Sequence, residues 1–276
     1  MSKNPRFKKG RNLPFTVSCV AWMDLLGYGS MLREAQFDPT SELANDAIIR
    51  LKRFQDIISD QANRYMPAVC VNDGAILYRD LSYRSNSVTA DFMQRIIDLH
   101  TFVNETDQSA GFPGARTILA VGIRMTGINH NWFNETHRLN ILDRMKNKEI
   151  DAEQAVNEAF YAQSTNGFVS QLQANFAFTK AYLVDSAGSR AGFKGPKLFI
   201  DLNLFDSELP EWIQISNIIN WKESGIEGSF GMFEDIDKDL AGSLMHRGAL
   251  DAQEISKRIL NNLNEEDPIK RLSKKL

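Results

Sequence analysis

Only two of the 276 residues are cysteine, Cys19 and Cys70, and only four are histidine. Two thiols cannot build a disulfide framework, and without clustered histidines they make a poor zinc site. A dominant charge is missing too: 32 basic residues stand against 35 acidic ones, a formal net of -3. With a sequence pI near 5.9, that balance argues against nucleic-acid backbone binding as the main activity. No apolar run reaches the ~18 residues of a membrane span, and no Gly/Pro/Ser-rich linker or internal repeat is visible. What is present is an ordinary apolar fraction, 43%, with 24% charged residues. That composition excludes disorder as the main state and suits one sizeable core in a reducing, cytoplasmic setting.

Both ends are basic. Residues 1–13 form a polar arm with Lys3, Arg6, Lys8, Lys9 and Arg11, and an apolar run from Pro14 to Met23 follows. Basic then apolar also opens a signal peptide. Here, however, β-branched residues alternate through the run, Asp24 closes it, and no small-x-small cleavage site comes next. Lys270, Arg271, Lys274 and Lys275 read as a solvated helix end.

Between these ends the periodicity predicts an ordered series. Phe15 to Met23 reads as a buried strand. Pro39-Thr40-Ser41-Glu42 opens a helix to about Asn63, with Leu43, Ala47, Leu51, Phe54 and Ile58 along one face. Pro67 to Val71 and Ala75 to Tyr78 read as two strands joined at Asn72-Asp73-Gly74, a strong short hairpin signal. Thr89 to Asn104 is a second helix, and Ala115 to Met125 a fourth strand. This order, βαββαβ, predicts an α+β fold: a ferredoxin-like antiparallel sheet of four strands with helices on one face. A helical stretch over about 151 to 184 and a strand at Lys197 to Leu202 follow, then a less regular C-terminal part. The expected layout is an arm over 1–13, a core over 14–205, and an elaboration over 206–276 packed on the same domain.

In that topology the third strand lies beside the first, so Asp24 and Asp73 are expected within a few ångströms of each other. Like charges at that distance call for a proton or a cation. Oxygen-only ligands suit a hard ion, Mg²⁺ or Mn²⁺, with coordination positions left for phosphates. Gly27 and Gly29, on either side of Tyr28, let the backbone approach a ligand closely just past the strand. Together these pieces describe a metal-triphosphate cradle.

At these residues the chain resembles the class III nucleotide cyclases. Val20-Ala21-Trp22-Met23-Asp24-Leu25-Leu26-Gly27-Tyr28 fits their first metal motif, and Val71-Asn72-Asp73-Gly74 their second. Val121-Gly122-Ile123-Arg124-Met125-Thr126-Gly127 resembles the strand after their second helix. The resemblance implies cyclisation of a nucleoside triphosphate with release of pyrophosphate. Two Mn²⁺ or Mg²⁺ ions would be bridged by Asp24 and Asp73, with the Leu25 carbonyl completing one shell. It also implies a homodimer with shared sites, and an Asn and an Arg one helical turn apart. The nearest match is Asn175, but Thr179 stands where the Arg would be. Lys180 or Arg124 is left to supply the positive charge.

The base is the open question. Where adenylate-type enzymes carry Lys and guanylate-type ones Glu, four residues before the hairpin acid, this chain has Val69. That departure turns the resemblance toward the bacterial pyrimidine cyclases of antiphage defence, which make cyclic UMP or cyclic CMP to activate a separate effector. UTP is preferred here over CTP, with Arg50, Arg53 and Phe54 on the first helix as candidate base contacts, and Gly27, Tyr28 and Gly29 as the rest of the nucleotide site. A purine cyclase and a silent nucleotide-binding module of the same fold are the alternatives. No membrane or nucleic-acid partner is expected.

Other conspicuous residues are read as structural. His100, His130, His137 and His246 are scattered, the stretch Asn129 to His137 reads as a surface loop, and Glu234, Asp235, Asp237 and Asp239 read as a solvated acidic face.

Overall fold

A computed structural model describes residues 15–125, 132–165, 169–223, 225–237 and 248–261. The basic arm, the basic C-terminal residues, Thr126, Gly127, His130, Asp239 and His246 lie outside them.

Seven strands form one sheet in the order β2-β3-β1-β4-β5-β7-β6. β1 (Phe15–Leu25) lies centrally between β3 (Gly74–Asp80) and β4 (Ala115–Met125), antiparallel to both. β2 (Ala68–Val71) borders β3, and β5 (Leu198–Asp201) runs parallel to β4. The expected βαββαβ core is thus present. The C-terminal part is far more regular than its sequence suggested. β6 (Ile213–Glu223) and β7 (Ile226–Ile236) form a long hairpin, and β7 pairs with β5, so the sheet continues past residue 205.

Alternation along β1 sorts its side chains between two cores. Val17, Cys19, Ala21, Met23 and Leu25 point to the main core. There they meet Phe54 and Ile58 of α2 (Glu42–Gln61) and Phe92 and Ile96 of α3 (Ser87–Ser109). α2 starts where Ser41 predicts: its hydroxyl accepts the Ala44 N–H at 3.2 Å. α7 (Ala252–Asn261) packs Ala252 and Ile255 into the same core.

The even-numbered residues Val20 and Trp22 point to a second core on the opposite face. It is covered by α6 (Phe176–Ala187), through Ala177, Ala181 and Val184. Helices therefore flank both faces, where the sequence pattern predicted one. α6 has no single apolar stripe, with Lys180 and Asp185 set among its apolar residues, so its periodicity did not show which side packs. Gly122 lets it dock: a Cβ there would sit 2.6 Å from the Ala177 backbone nitrogen.

The predicted helical stretch resolves into α5 (Ala152–Thr165) and α6, preceded by α4 (Trp132–Lys146). Residues 132–137, expected in a loop, open α4. α1 (Tyr28–Glu34) is a short turn after β1. His100 is buried, its Nδ1 paired with the Thr117 hydroxyl at 2.9 Å, and burial lowers its pKa to about 4. It is a core histidine.

Candidate active site

The geometry begins with strand register. β1 and β3 pair Asp24 with Gly74, so the hairpin tip sits beside the end of β1. The turn itself is Asn72–Asp73, with Asn72 in the left-handed region that Asn tolerates (φ 53°). The Leu25 N–H then donates to the Asp73 carbonyl at 3.0 Å. Two acids 49 positions apart in sequence are brought to adjoining backbone positions, as the topology predicted.

The structure adds two residues that sequence reasoning missed. Asp24 is also the register partner of Arg116 on β4. Arg116 donates from Nε to Asp185 Oδ1 of α6 at 2.6 Å, and from its terminal nitrogens to the Asp185 carbonyl at 3.0 Å and the Phe193 carbonyl at 3.1 Å. The other Asp185 oxygen accepts the Trp22 indole N–H at 3.2 Å. Arg116 thus stands between Asp24, its register partner, and Asp185, its ion-pair partner. The signal for Arg116 was available, since pairing the two eleven-residue strands end to end sets it opposite Asp24.

The electrostatic result falls on Asp24. Burial, then the charges of Asp185 and Asp73, push its pKa up to about 7, against the lowering effect of Arg116 and Arg50. A carboxyl so disfavoured as an anion binds either a proton or a cation. Among the described residues no group of three or more His, Cys, Asp or Glu side chains is arranged to hold a metal ion. Mg²⁺ and Mn²⁺ do not require one: one or two carboxylates, completed by phosphate and water, are their usual protein share. Asp24, Asp73 and the Leu25 carbonyl fit that pattern.

The turn after Asp24 is exposed at Gly27 and Gly29. Gly27 takes φ 79°, the left-handed conformation that glycine adopts without strain. Tyr28 departs from expectation. Its ring is buried in the main core, and its hydroxyl is held above the usual range by burial and by Asp73. This residue offers backbone, not its ring, to a ligand.

Two expected base contacts are corrected. Arg50 is 1% exposed, with its guanidinium bonded to Asp107 through Nε at 2.9 Å and a terminal nitrogen at 2.7 Å. Phe54 is buried among the core side chains of α2 and β1. Neither presents a donor or a ring face to solvent.

The three expected transition-state residues are placed elsewhere as well. Asn175 is the N-cap of α6: its Oδ1 accepts the Phe178 N–H at 3.1 Å. Its Nδ2 donates to Ser18 Oγ at 3.1 Å and to the Gln171 carbonyl at 2.9 Å. Lys180 is 7% exposed and donates to the fully buried Asp201 at 2.8 Å. Arg124 forms a forked pair with Asp80. It stands opposite Thr16, eight residues along β1 from Asp24, or ~26 Å at ~3.3 Å per residue. All three amide or cationic groups are committed to the fold of their own chain. Val69 pairs with Ile76 at the edge of the second core and carries no polar group.

No family model matches the chain, and no curated protein matches it. Among solved structures it is similar to the guanylyl cyclase Cya2, with TM-score 0.47 and 10% identity over 81% of this chain and 94% of that one. It is also similar to the catalytic core of a rhodopsin-guanylyl cyclase with converted specificity in complex with ATPαS (TM-score 0.45, 12% identity, 81% and 98% covered). The guanylate cyclase domain of RhGC from Catenaria anguillulae in complex with GTP gives TM-score 0.44 and 11% identity over 80% and 98%. At such values the likeness says nothing of substrate, and the site is read from its own residues.

Proposed function

We propose that this chain is a nucleotide cyclase of the class III type, converting UTP to 3',5'-cyclic UMP and pyrophosphate. The observation that carries the reading is the meeting of Asp24 and Asp73 at the end of β1, with Asp24 destabilised as a free anion. Asp24, Asp73 and the Leu25 carbonyl are the oxygen donors for two Mn²⁺ or Mg²⁺ ions. When bound, such ions activate the ribose 3'-hydroxyl and neutralise charge on the phosphates. The exposed backbone at Gly27 and Gly29 borders the triphosphate, and Arg116, fixed by Asp185, balances part of the acidic charge.

The two arginines that act on Asp24 are each in an ion pair, Arg116 with Asp185 and Arg50 with Asp107. In this reading a second copy, in a homodimer with shared sites, adds positive charge for the triphosphate. Val69 supports a pyrimidine substrate, because a position without a polar group gives up discrimination for a purine edge. The proposed setting is antiphage defence, with the product acting on a separate effector. A second reading, a silent module that binds nucleotide without turnover, is favoured by the engagement of Asn175 and Lys180 within their own fold.

The test is product identity. Purified protein is incubated with ATP, GTP, CTP and UTP in turn with Mn²⁺, and products are identified by mass. Cyclic UMP is expected, and cyclic CMP would change only the base. Cyclic AMP or GMP as sole product overturns the pyrimidine assignment. Binding without any cyclic product establishes the silent module.

A further inference from the structure

Arg50 lies on the inward stripe of α2, between Ala47 and Phe54, where an apolar residue would ordinarily sit. Its partner Asp107 belongs to the last turns of α3, and the side chains are 0% and 8% exposed. Burying two charges is expensive, and an apolar pair of similar volume is often as stable or more so. The pair is therefore weak as a stabiliser, and its contacts show what else it does. A terminal nitrogen of Arg50 donates to the Leu26 carbonyl at 3.1 Å, and the other lies 3.4 Å from the Gly114 carbonyl. Asp107 accepts the Gly114 N–H at 2.9 Å, and the Leu26 N–H donates back to the Gly114 carbonyl at 3.0 Å. The guanidinium also stacks over the Phe112 ring at 4.8 Å. Both backbone groups of Leu26 are thereby tied to the pair and to the loop before β4. Leu26 sits between Leu25, whose carbonyl is the proposed metal ligand, and Gly27, which opens the exposed turn.

We infer that Arg50 and Asp107 are positioning residues that hold the Leu25–Gly27 backbone in place for the metal and the triphosphate. The inference rests on the proposed cyclase reading for what the turn binds, but not for the turn being held. Arg is suited to this because one planar fork reaches a carboxylate and two carbonyls together, which a lysine point charge cannot do.

The experiment compares wild type, Arg50→Lys, Asp107→Asn and the double variant Arg50→Met/Asp107→Leu. Three quantities are read: thermal unfolding, amide hydrogen exchange resolved by residue, and affinity for Mn²⁺ with a non-cyclisable UTP analogue. The single variants leave a buried charge or half a network and are expected to lose stability. The double variant is expected to unfold near the wild-type temperature. Its Leu26, Ser30 and Met31 amides should nevertheless exchange at least ~10-fold faster, and its affinity should fall ~10–100-fold, the range seen when groups that orient metal ligands are lost. Arg50→Lys should keep the fold but not restore slow exchange at Leu26. The inference is overturned if the folded double variant keeps wild-type exchange at Leu26 and wild-type affinity. Acceleration of all core amides together overturns it as well, because the pair would then only stabilise. If wild type forms no cyclic nucleotide from any triphosphate, the cyclase reading falls by itself. Exchange at Leu26 still decides whether the pair holds the turn.

Discussion

The two ends of β1 make opposite use of charge. At the Thr16 end, Arg124 faces Asp80, and Asn175 satisfies the Ser18 hydroxyl, the Gln171 carbonyl and the Phe178 amide. At the Asp24 end, Arg116 is bonded to Asp185 while Asp185 and Asp73 both act on Asp24, which carries the cost as a raised pKa. Buried polar groups in folded proteins are generally paired. An end that leaves acid in surplus is less stable than it need be, and in the proposed reading a bound cation offsets that cost.

The sharpest way to break this comparison is Asp24→Asn. Turnover should drop to background, since a neutral amide is a poor ligand for a hard ion. Stability should move the other way. Because the folded-state pKa of Asp24 is raised from 3.8 to about 7, ionising it costs folding free energy. The cost is absent below the unfolded value, grows as pH rises from about 4 to about 7, and is constant above that. Metal-free Asp24→Asn should therefore melt above wild type at pH 8, by ~2–4 °C for each kcal/mol relieved, and level with it below pH 4. Thermal scans across that range check the sign. A variant that melts lower than wild type at pH 8 removes the claim of surplus acid.

The smaller expected effect lies at the opposite end. Asn175→Ala deletes a helix cap and leaves Ser18 without that partner, at ~1–2 kcal/mol. The melting temperature should fall by several degrees, while the rate per folded molecule well below it changes little. Steady-state kinetics paired with thermal scans separate the two. A collapsed rate at an unchanged melting temperature would make Asn175 catalytic and end the contrast.

How far the site was legible follows from the range of each signal. Asp24 and Asp73 could be placed because apolar runs, an Asx-Gly turn and the βαββαβ order are local features with one simple assembly. Even so, the turn sits one residue earlier than an Asp-Gly turn would, which is what sets Gly74 opposite Asp24. Arg50 was misread because its partner is 57 residues away, although a charge on the buried stripe of an amphipathic helix already asks for one. Asn175 was the nearest match to a family pattern whose second position holds Thr179, and Lys180 was a substitute for the missing Arg, yet Ser18 and Asp201, which engage them, come from other elements. The β6–β7 hairpin escaped notice for a different reason. Much of β6 is only partly buried or exposed, and two register shifts with Asn217 at φ 44° interrupt its alternation. A period-two pattern cannot be read across such breaks.

The central claim, that the Asp24 end of the sheet is built around a missing positive charge, is tested most directly by Mn²⁺ binding. Electron paramagnetic resonance of Mn²⁺ with a non-cyclisable UTP analogue would be recorded for wild type, Asp73→Asn and Asn175→Ala. Bound Mn²⁺ is predicted for wild type and Asn175→Ala, and none for Asp73→Asn. Equal binding by wild type and Asp73→Asn would contradict the account.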